Sequence, residues 1–267
     1  MLTRGDVEIY LQGSYKNHTN IRGDSDVDVV VELKSTFSHE TSALTSVDLG
    51  RFRQIYPVPT YCWNDFRGNV LTALQYYYGR SVQITPGKKA LRVPRMSGTV
   101  GADVIVAVEH REYSYFAGGV TQPSRIGVAF WSQPDNRRVV NFPKQHCENG
   151  EQKNSAQRAA GWYKPSVRIF KNARSYLVER GKLGDHVAPS YFVESLLFNV
   201  PDSYFGRSYS DTVIAAWNWL ETACNTAALT CPNGQTLLFG PSPEQWSIES
   251  AQAFLLAFKD LWENWHP

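Results

Sequence analysis

Apolar residues run together or alternate over short stretches in the first half of the chain, and recur at three- and four-residue spacing in the second. Val7-Glu8-Ile9-Tyr10-Leu11 and the Val-rich run Val27 to Leu33 predict strands, and the polar stretch from Lys34 to Gly50 predicts a mobile loop between elements. Phe66, Val70, Leu74 and Tyr77 or Tyr78 keep helical spacing, with Gly79 as the stop, and the consecutive tyrosines Tyr76 to Tyr78 are expected to pack. Val82 to Val93 predicts a strand, a turn at Pro86-Gly87 and a second strand. Ala102 to Val108 is a buried-strand run with Asp103 near its head, and Ile126 to Trp131 and Val139 to Phe142 flank Pro134-Asp135-Asn136 as a hairpin. From Glu151 the pattern turns helical. Pro165 sits near a helix start and Gly181 marks a stop, with further helices over 191–199, 211–226 and 248–262. Ser242-Pro243-Glu244-Gln245 reads as a capping box with proline at the first helical position. The expectation is an α+β chain, with a mixed-sheet lobe at 1–150, a helical lobe at 151–267 and the active site in the cleft between them.

With 267 residues the chain can bury a substantial core, and its formal net charge is only +2. Affinity for nucleic acid or phosphate must therefore come from a local basic patch, which fits a nucleotide site better than a nonspecific duplex binder. Lys88, Lys89, Arg92 and Arg95 form such a run, although a solvated strand face is its commoner meaning. Cys62, Cys147, Cys224 and Cys231 show no Cys-x-x-Cys pair, so no structural zinc is expected. Cys224 and Cys231 are near enough in sequence to meet, but a chain without a secretory signal favours buried thiols. There is no apolar leader and no run of about 20 apolar residues. A soluble, cytoplasmic protein with no membrane partner is expected.

The chemistry concentrates between the first two strands, in Gly13-Ser14-Tyr15-Lys16-Asn17-His18-Thr19-Asn20-Ile21 and in Ser25-Asp26-Val27-Asp28. Side chains two apart on a strand share a face, so Asp26 and Asp28 project together where the strand begins. Two carboxylates there suit Mg²⁺ (or Mn²⁺), which is commonly shared between one or two carboxylates and substrate phosphates. A nucleoside triphosphate would complete the shell. Gly13 permits close backbone approach to a phosphate and Ser14 adds a hydroxyl donor at the start of a short helix, whose free N–H groups face an anion. Two ions require a third carboxylate, and Asp103 is the best candidate if its strand lies beside the first. His18 is expected to be structural, and Arg22 either reaches a phosphate or makes a loop salt bridge with Asp24.

The Gly-Ser, the spaced Asp-x-Asp and the later single aspartate resemble the polymerase-β-like nucleotidyltransferase superfamily. Within it, Gly13-Ser14-Tyr15, Thr19-x-Ile21 and Ser25-Asp26-x-Asp28 look most like the CD-NTase family, the bacterial cyclic-oligonucleotide synthases related to animal cGAS and oligoadenylate synthase. Trp162 to Asn172 and Pro189 to Leu197 look like helices of that family. The resemblance implies a polymerase-β-like nucleotidyltransferase fold, with Lys171 and Ser190 on the triphosphate tail and Tyr191 stacked on a base. It also implies anti-phage signalling through an effector protein that senses the product. Related enzymes carry a long helix before the first catalytic strand, whereas about six residues precede it here, so the natural start is expected upstream.

The expected activity is attack by a ribose hydroxyl of one triphosphate (ATP, GTP, UTP or CTP) on the α-phosphate of another, with release of pyrophosphate and closure to a cyclic di- or trinucleotide. Asp26, Asp28 and Asp103 would hold two ions per site. The alternatives are transfer of a nucleotide to a protein, an RNA end or a small molecule, or a catalytically silent nucleotide sensor. Base preference, linkage, oligomeric state and activating signal are not encoded in any motif.

Overall fold

A computed structural model describes residues 4–21, 26–206, 208–223 and 228–264. In chain order, β1 (Val7–Gln12), α1 (Gly13–Lys16), β2 (Val27–Glu40), α2 (Ser46–Ile55) and α3 (Trp63–Tyr78) are followed by β3 (Thr85–Pro86), β4 (Leu91–Val93), β5 (Ala102–Glu112), β6 (Arg125–Ser132) and β7 (Arg137–Asn141). Helices α4 (Pro143–Asn154), α5 (Tyr163–Glu179), α6 (Ser190–Phe198), α7 (Tyr209–Ala223) and α8 (Ile248–Glu263) complete the chain. It divides into two compact units, one of Met1–Gln12 with Asp26–Pro143, the other of Gly13–Ser25 with Lys144–Pro267. The expected division at 150 differs from this on two counts. α4 belongs with the helices because His146 and Lys153 are buried there, bonded to Glu194 and to the Val200 carbonyl. Residues 13–21 also join them, because Asn17 and Thr19 donate to Glu194.

The sheet unit is built around β5. β2 lies parallel along one side of it, β4 and β6 lie antiparallel on the other, and β1 and β7 close the series beyond β2 and β6. Val30, Leu33, Val104, Ile105, Val106 and Val108 are buried in this core, as their apolar run requires of a strand covered on both faces. α3 covers the sheet through Trp63 and Phe66, and the Trp63 indole N–H donates to the Val106 carbonyl at 2.7 Å. Tyr78 joins this packing, but Tyr76 and Tyr77 are exposed, contrary to the expectation for the three tyrosines.

The stretch from Lys34 to Gly50 is not a loop. β2 crosses a bulge between Leu33 and Phe37 and pairs again with Glu109 to Glu112, and α2 begins at Ser46, where the Thr45 hydroxyl accepts from the Asp48 N–H. An aromatic cluster of Phe37, Phe52, Tyr56, Tyr113 and Phe116 drives this ordering. His39 and Arg111 also pack on its rings, and because these partners come from separate segments, periodicity in the polar run gave no sign of it.

The helical unit packs around α5, whose Val167 and Phe170 are buried with Leu196 and Leu197 of α6, Val213 and Leu220 of α7, and Phe254 and Phe258 of α8. Phe170 and Phe258 stack at 4.3 Å between centroids. The expected capping box at Ser242 starts no helix. Its side chains close a local turn, with the Ser242 and Glu244 N–H groups donating to the Gln245 amide oxygen and the Ser242 hydroxyl, while Ser247 caps α8. Cys62 is exposed, Cys147 half-buried and Cys231 buried, and Cys224 lies outside the described residues. Among the described residues no helix is long and apolar enough to cross a membrane.

Candidate functional site

β1 and β2 are antiparallel neighbours, so the segment joining them leaves and returns at one end of the sheet. At that end Gln12 pairs with Asp28, and Asp28 pairs across the parallel ladder with Asp103. The parallel register brings together two carboxylates 75 positions apart in sequence, as the third-carboxylate expectation required. Asp26 stands just before β2 and is exposed.

Asp28 is the sensitive member of this trio. Burial first, then the charges of Asp103 and Asp26, raise its carboxyl to about 6, and no cation or donor meets it among the described residues. Such a group is stabilised by any cation that arrives. Asp103 is partly answered already, because its cross-strand neighbour Arg92 places Nε 3.3 Å from Oδ1. All four members of the basic run are exposed, and of them Arg92 is the one paired with a site carboxylate among the described residues.

Room for Asp26 is made by Gly101. A Cβ at this glycine would sit 2.9 Å from the Asp26 Cγ, closer than carbon atoms tolerate, and the Gly101 carbonyl accepts the Val27 N–H at 2.8 Å. Among the described residues no three His, Cys, Asp or Glu side chains converge on a single point. The oxygen-only donor set and the unanswered Asp28 still fit a hard divalent ion, one that takes one or two carboxylates and completes its shell with water and phosphate oxygens. Asp26 and Asp28, with Asp103, are the residues that would hold it.

The Gly13-Ser14 segment, expected to meet phosphate, belongs with the helical unit. Gly13 opens α1 with φ +67°, a left-handed conformation suited to glycine, and Ser14 is half-buried with its hydroxyl unbonded among the described residues. His18, at φ +56°, is held by Arg168, whose Nη1 donates to its carbonyl at 2.6 Å. Arg22, Gly23, Asp24 and Ser25 lie outside the described residues.

Lys171 does not snorkel. It is buried, and Nζ donates to the Thr19 carbonyl at 3.3 Å, the Thr19 hydroxyl at 3.2 Å and Glu194 Oε2 at 3.0 Å. Ser190 is the first residue of α6 rather than its cap, a place taken by Pro189, and its hydroxyl makes no bond among the described residues. Tyr191 presents an exposed ring that lies 5.5 Å from the His146 ring, while desolvation and the buried Cys231 thiol at its hydroxyl end push the phenol far above its ordinary value.

Sequence reasoning passed over Glu194, His146, Asn17, Arg168 and Gly101. Glu194 had a readable signal, as the only charge in the mostly apolar helix SYFVESLLF. The others are defined by partners remote in sequence and carry no local signal.

Residues 148–263 match the cGAS/DncV-like nucleotidyltransferase C-terminal helical domain, and residues 1–60 match the nucleotidyltransferase domain. The chain is 47% identical over 263 residues to a cyclic UMP-AMP synthase of Rhodothermus marinus, covering 98% of this chain and 86% of the relative. It is 37% identical over 265 residues to a cyclic nucleotide synthase of Staphylococcus haemolyticus, with 98% and 87% covered. The solved structure of the Rhodothermus marinus c-UMP-AMP synthase with Apcpp and Upnpp superposes with a TM-score of 0.85 at 45% identity, covering 100% of this chain and 87% of that one.

Proposed function

The chain belongs to the CD-NTase family of cGAS/DncV-like nucleotidyltransferases, and on that premise we propose that it joins two nucleoside triphosphates into a cyclic dinucleotide, with ATP and UTP the first pair to offer it. It is an enzyme of the nucleotidyltransferase class with the polymerase-β-like fold, as its mixed sheet, helices and relatives show. The choice of ATP and UTP rests on the Rhodothermus marinus relative, a cyclic UMP-AMP synthase.

The observation that carries the reading is the cross-strand pair Asp28 and Asp103 beside Asp26, with the Asp28 carboxyl raised to about 6 by burial and by those two like charges. Bound Mg²⁺ or Mn²⁺, two per site, supplies charge neutralisation and makes the attacking hydroxyl more acidic. Asp26 and Asp28 would hold both ions, and Asp103 would complete the site that activates the attacking hydroxyl. Gly13, Ser14 and Ser190 donate to the triphosphate tail. Family resemblance assigns Lys171 to the tail as well, beside the Thr19 and Glu194 groups that hold its ammonium. Tyr191 offers its exposed ring to a base.

A ribose hydroxyl oxygen bonds to the α-phosphorus of the second nucleotide as its proton passes to solvent, the bond from that phosphorus to the bridging oxygen breaks, and pyrophosphate leaves. A second transfer closes the ring. Family kinship adds to the proposal a product-sensing effector, anti-phage signalling and a cytoplasmic setting.

Incubation with all four ribonucleoside triphosphates and Mg²⁺ or Mn²⁺, then phosphatase treatment and mass spectrometry, tests the reading. A phosphatase-resistant cyclic product is expected. Asp28→Asn should lower its yield by about 100-fold or more, on the scale of losing preorganised charge stabilisation. Near-normal turnover by that variant would refute the metal assignment, and product only in the presence of an added acceptor would refute the cyclase.

A further inference from the structure

One carboxylate ties together every part of the helical unit to which the phosphate reading assigns a role. Glu194 lies on α6, one turn beyond Ser190, and is 4% exposed. Its Oε1 accepts Asn17 Nδ2 at 3.0 Å and His146 Nε2 at 2.9 Å, and its Oε2 accepts the Thr19 hydroxyl at 2.6 Å and Lys171 Nζ at 3.0 Å. A carboxylate has about four acceptor sites, so this one is saturated. Because it offers no proton, the His146 Nε2 carries one.

Saturation leaves Glu194 nothing to offer a nucleotide. What it does is hold. Asn17 and Thr19 are the two buried polar residues that follow α1, and through them Glu194 fixes where α1 and its free N–H groups stand. The same oxygen that binds Thr19 binds Lys171, which also grips the Thr19 carbonyl. Arg168, three residues before Lys171 and on the same side of α5, takes the carbonyl of His18, so the left-handed turn there is pinned from the helix as well. His146 carries the connection to the Tyr191 ring.

We infer that Glu194 is a positioning residue for triphosphate binding, acting through Thr19, Asn17 and Lys171 without contact with the nucleotide. The inference rests on the reading of Gly13 and Ser14 as phosphate contacts. Breaking the anchorage lets the Gly13–Ile21 segment leave the conformation that aims its donors, and phosphate affinity falls even where the helices stay folded.

Inorganic triphosphate with Mg²⁺, titrated calorimetrically below the melting temperature, reads the phosphate contacts independently of base preference. Thr19→Val removes the hydroxyl at constant shape and leaves the Lys171–Glu194 pair in place. It should weaken triphosphate binding about tenfold, the scale of one lost charge-assisted hydrogen bond, while Thr19→Ser stays within about twofold of the parent. Glu194→Gln should weaken it at least as much, and for ATP should raise KM more than it lowers kcat. Ser14→Ala serves as the direct-contact control. If Ser14→Ala weakens binding but Thr19→Val and Glu194→Gln lower only the melting temperature, the positioning role is overturned and the phosphate reading stands. If Ser14→Ala also binds like the parent, the phosphate reading falls and the inference falls with it.

Discussion

Asp28 and Glu194 are both part-shielded carboxylates, and their surroundings drive them in opposite directions. Asp28 is pushed up to about 6 by burial and by two like charges, whereas the burial of Glu194, which alone would raise it, is outweighed by donation from His146, Lys171 and Thr19, leaving it at about 2. The first arrangement invites a cation from outside; the second is already closed. Since the folded value of Glu194 lies below its ordinary 4.5, the unfolded chain takes up this proton first as pH falls. Stability from Glu194 is complete above about pH 4.5 and should be lost between there and about pH 2. Thermal melts across that range should show the decline in the parent and a flatter one in Glu194→Gln. Gly101 makes a separate prediction. The atom its added Cβ would meet is the end of a short side chain, so Gly101→Ala should leave the melting temperature within a few degrees while displacing the Asp26 carboxylate. Turnover should drop roughly 10- to 100-fold, the order expected of a small misplacement at a reacting centre, measured as kcat at saturating Mg²⁺.

At the scale of elements, the strands that carry the aspartates were legible because their apolar runs are long and uninterrupted, and the helices because Phe, Leu and Val recur on one face. The parallel pairing of β2 with β5 was legible only through chemistry, from the need for a third carboxylate near the first two. The second half of β2 and all of α2 were not legible. Lys34, Ser35, Ser38 and Glu40 mask a strand whose reason to form is Phe37 meeting Phe52, Tyr56 and Arg111, contacts made across the fold. The Ser242 signal failed for a related reason, since its side chains are satisfied within a turn and Ser247 is better placed to cap. Phe52 tests this account. It is 1% exposed and meets Phe37, Tyr56, Tyr113 and Phe116 with ring centroids 5.0 to 6.5 Å apart. Phe52→Ala should cost about 3–5 kcal/mol, as large-to-small core changes do, read as a lower urea midpoint. If residues 34–50 were a loop in solution, the midpoint would hardly move.

For the whole molecule, the small net charge leaves recognition to local groups, so nucleotide and metal should stabilise the chain together. At a nucleotide concentration about 100 times Kd, linkage contributes about 2.7 kcal/mol, visible as a rise in melting temperature. Asp28→Asn should remove the part of that rise that requires Mg²⁺ and keep the part due to triphosphate contacts in the helical unit. The partition of the chain bears on its manufacture as well. Residues 13–21 emerge early, between two strands of the sheet unit, yet their anchor is Glu194, and Thr19 waits 175 positions for it. At synthesis rates of about 5–20 residues per second, that interval is roughly 10–35 s. Through that time the ribosome holds a growing chain whose sheet can assemble but whose Gly13–Ile21 segment has nowhere to settle, so a polypeptide abandoned before residue 194 should carry its aspartates and lack the anchor of that segment.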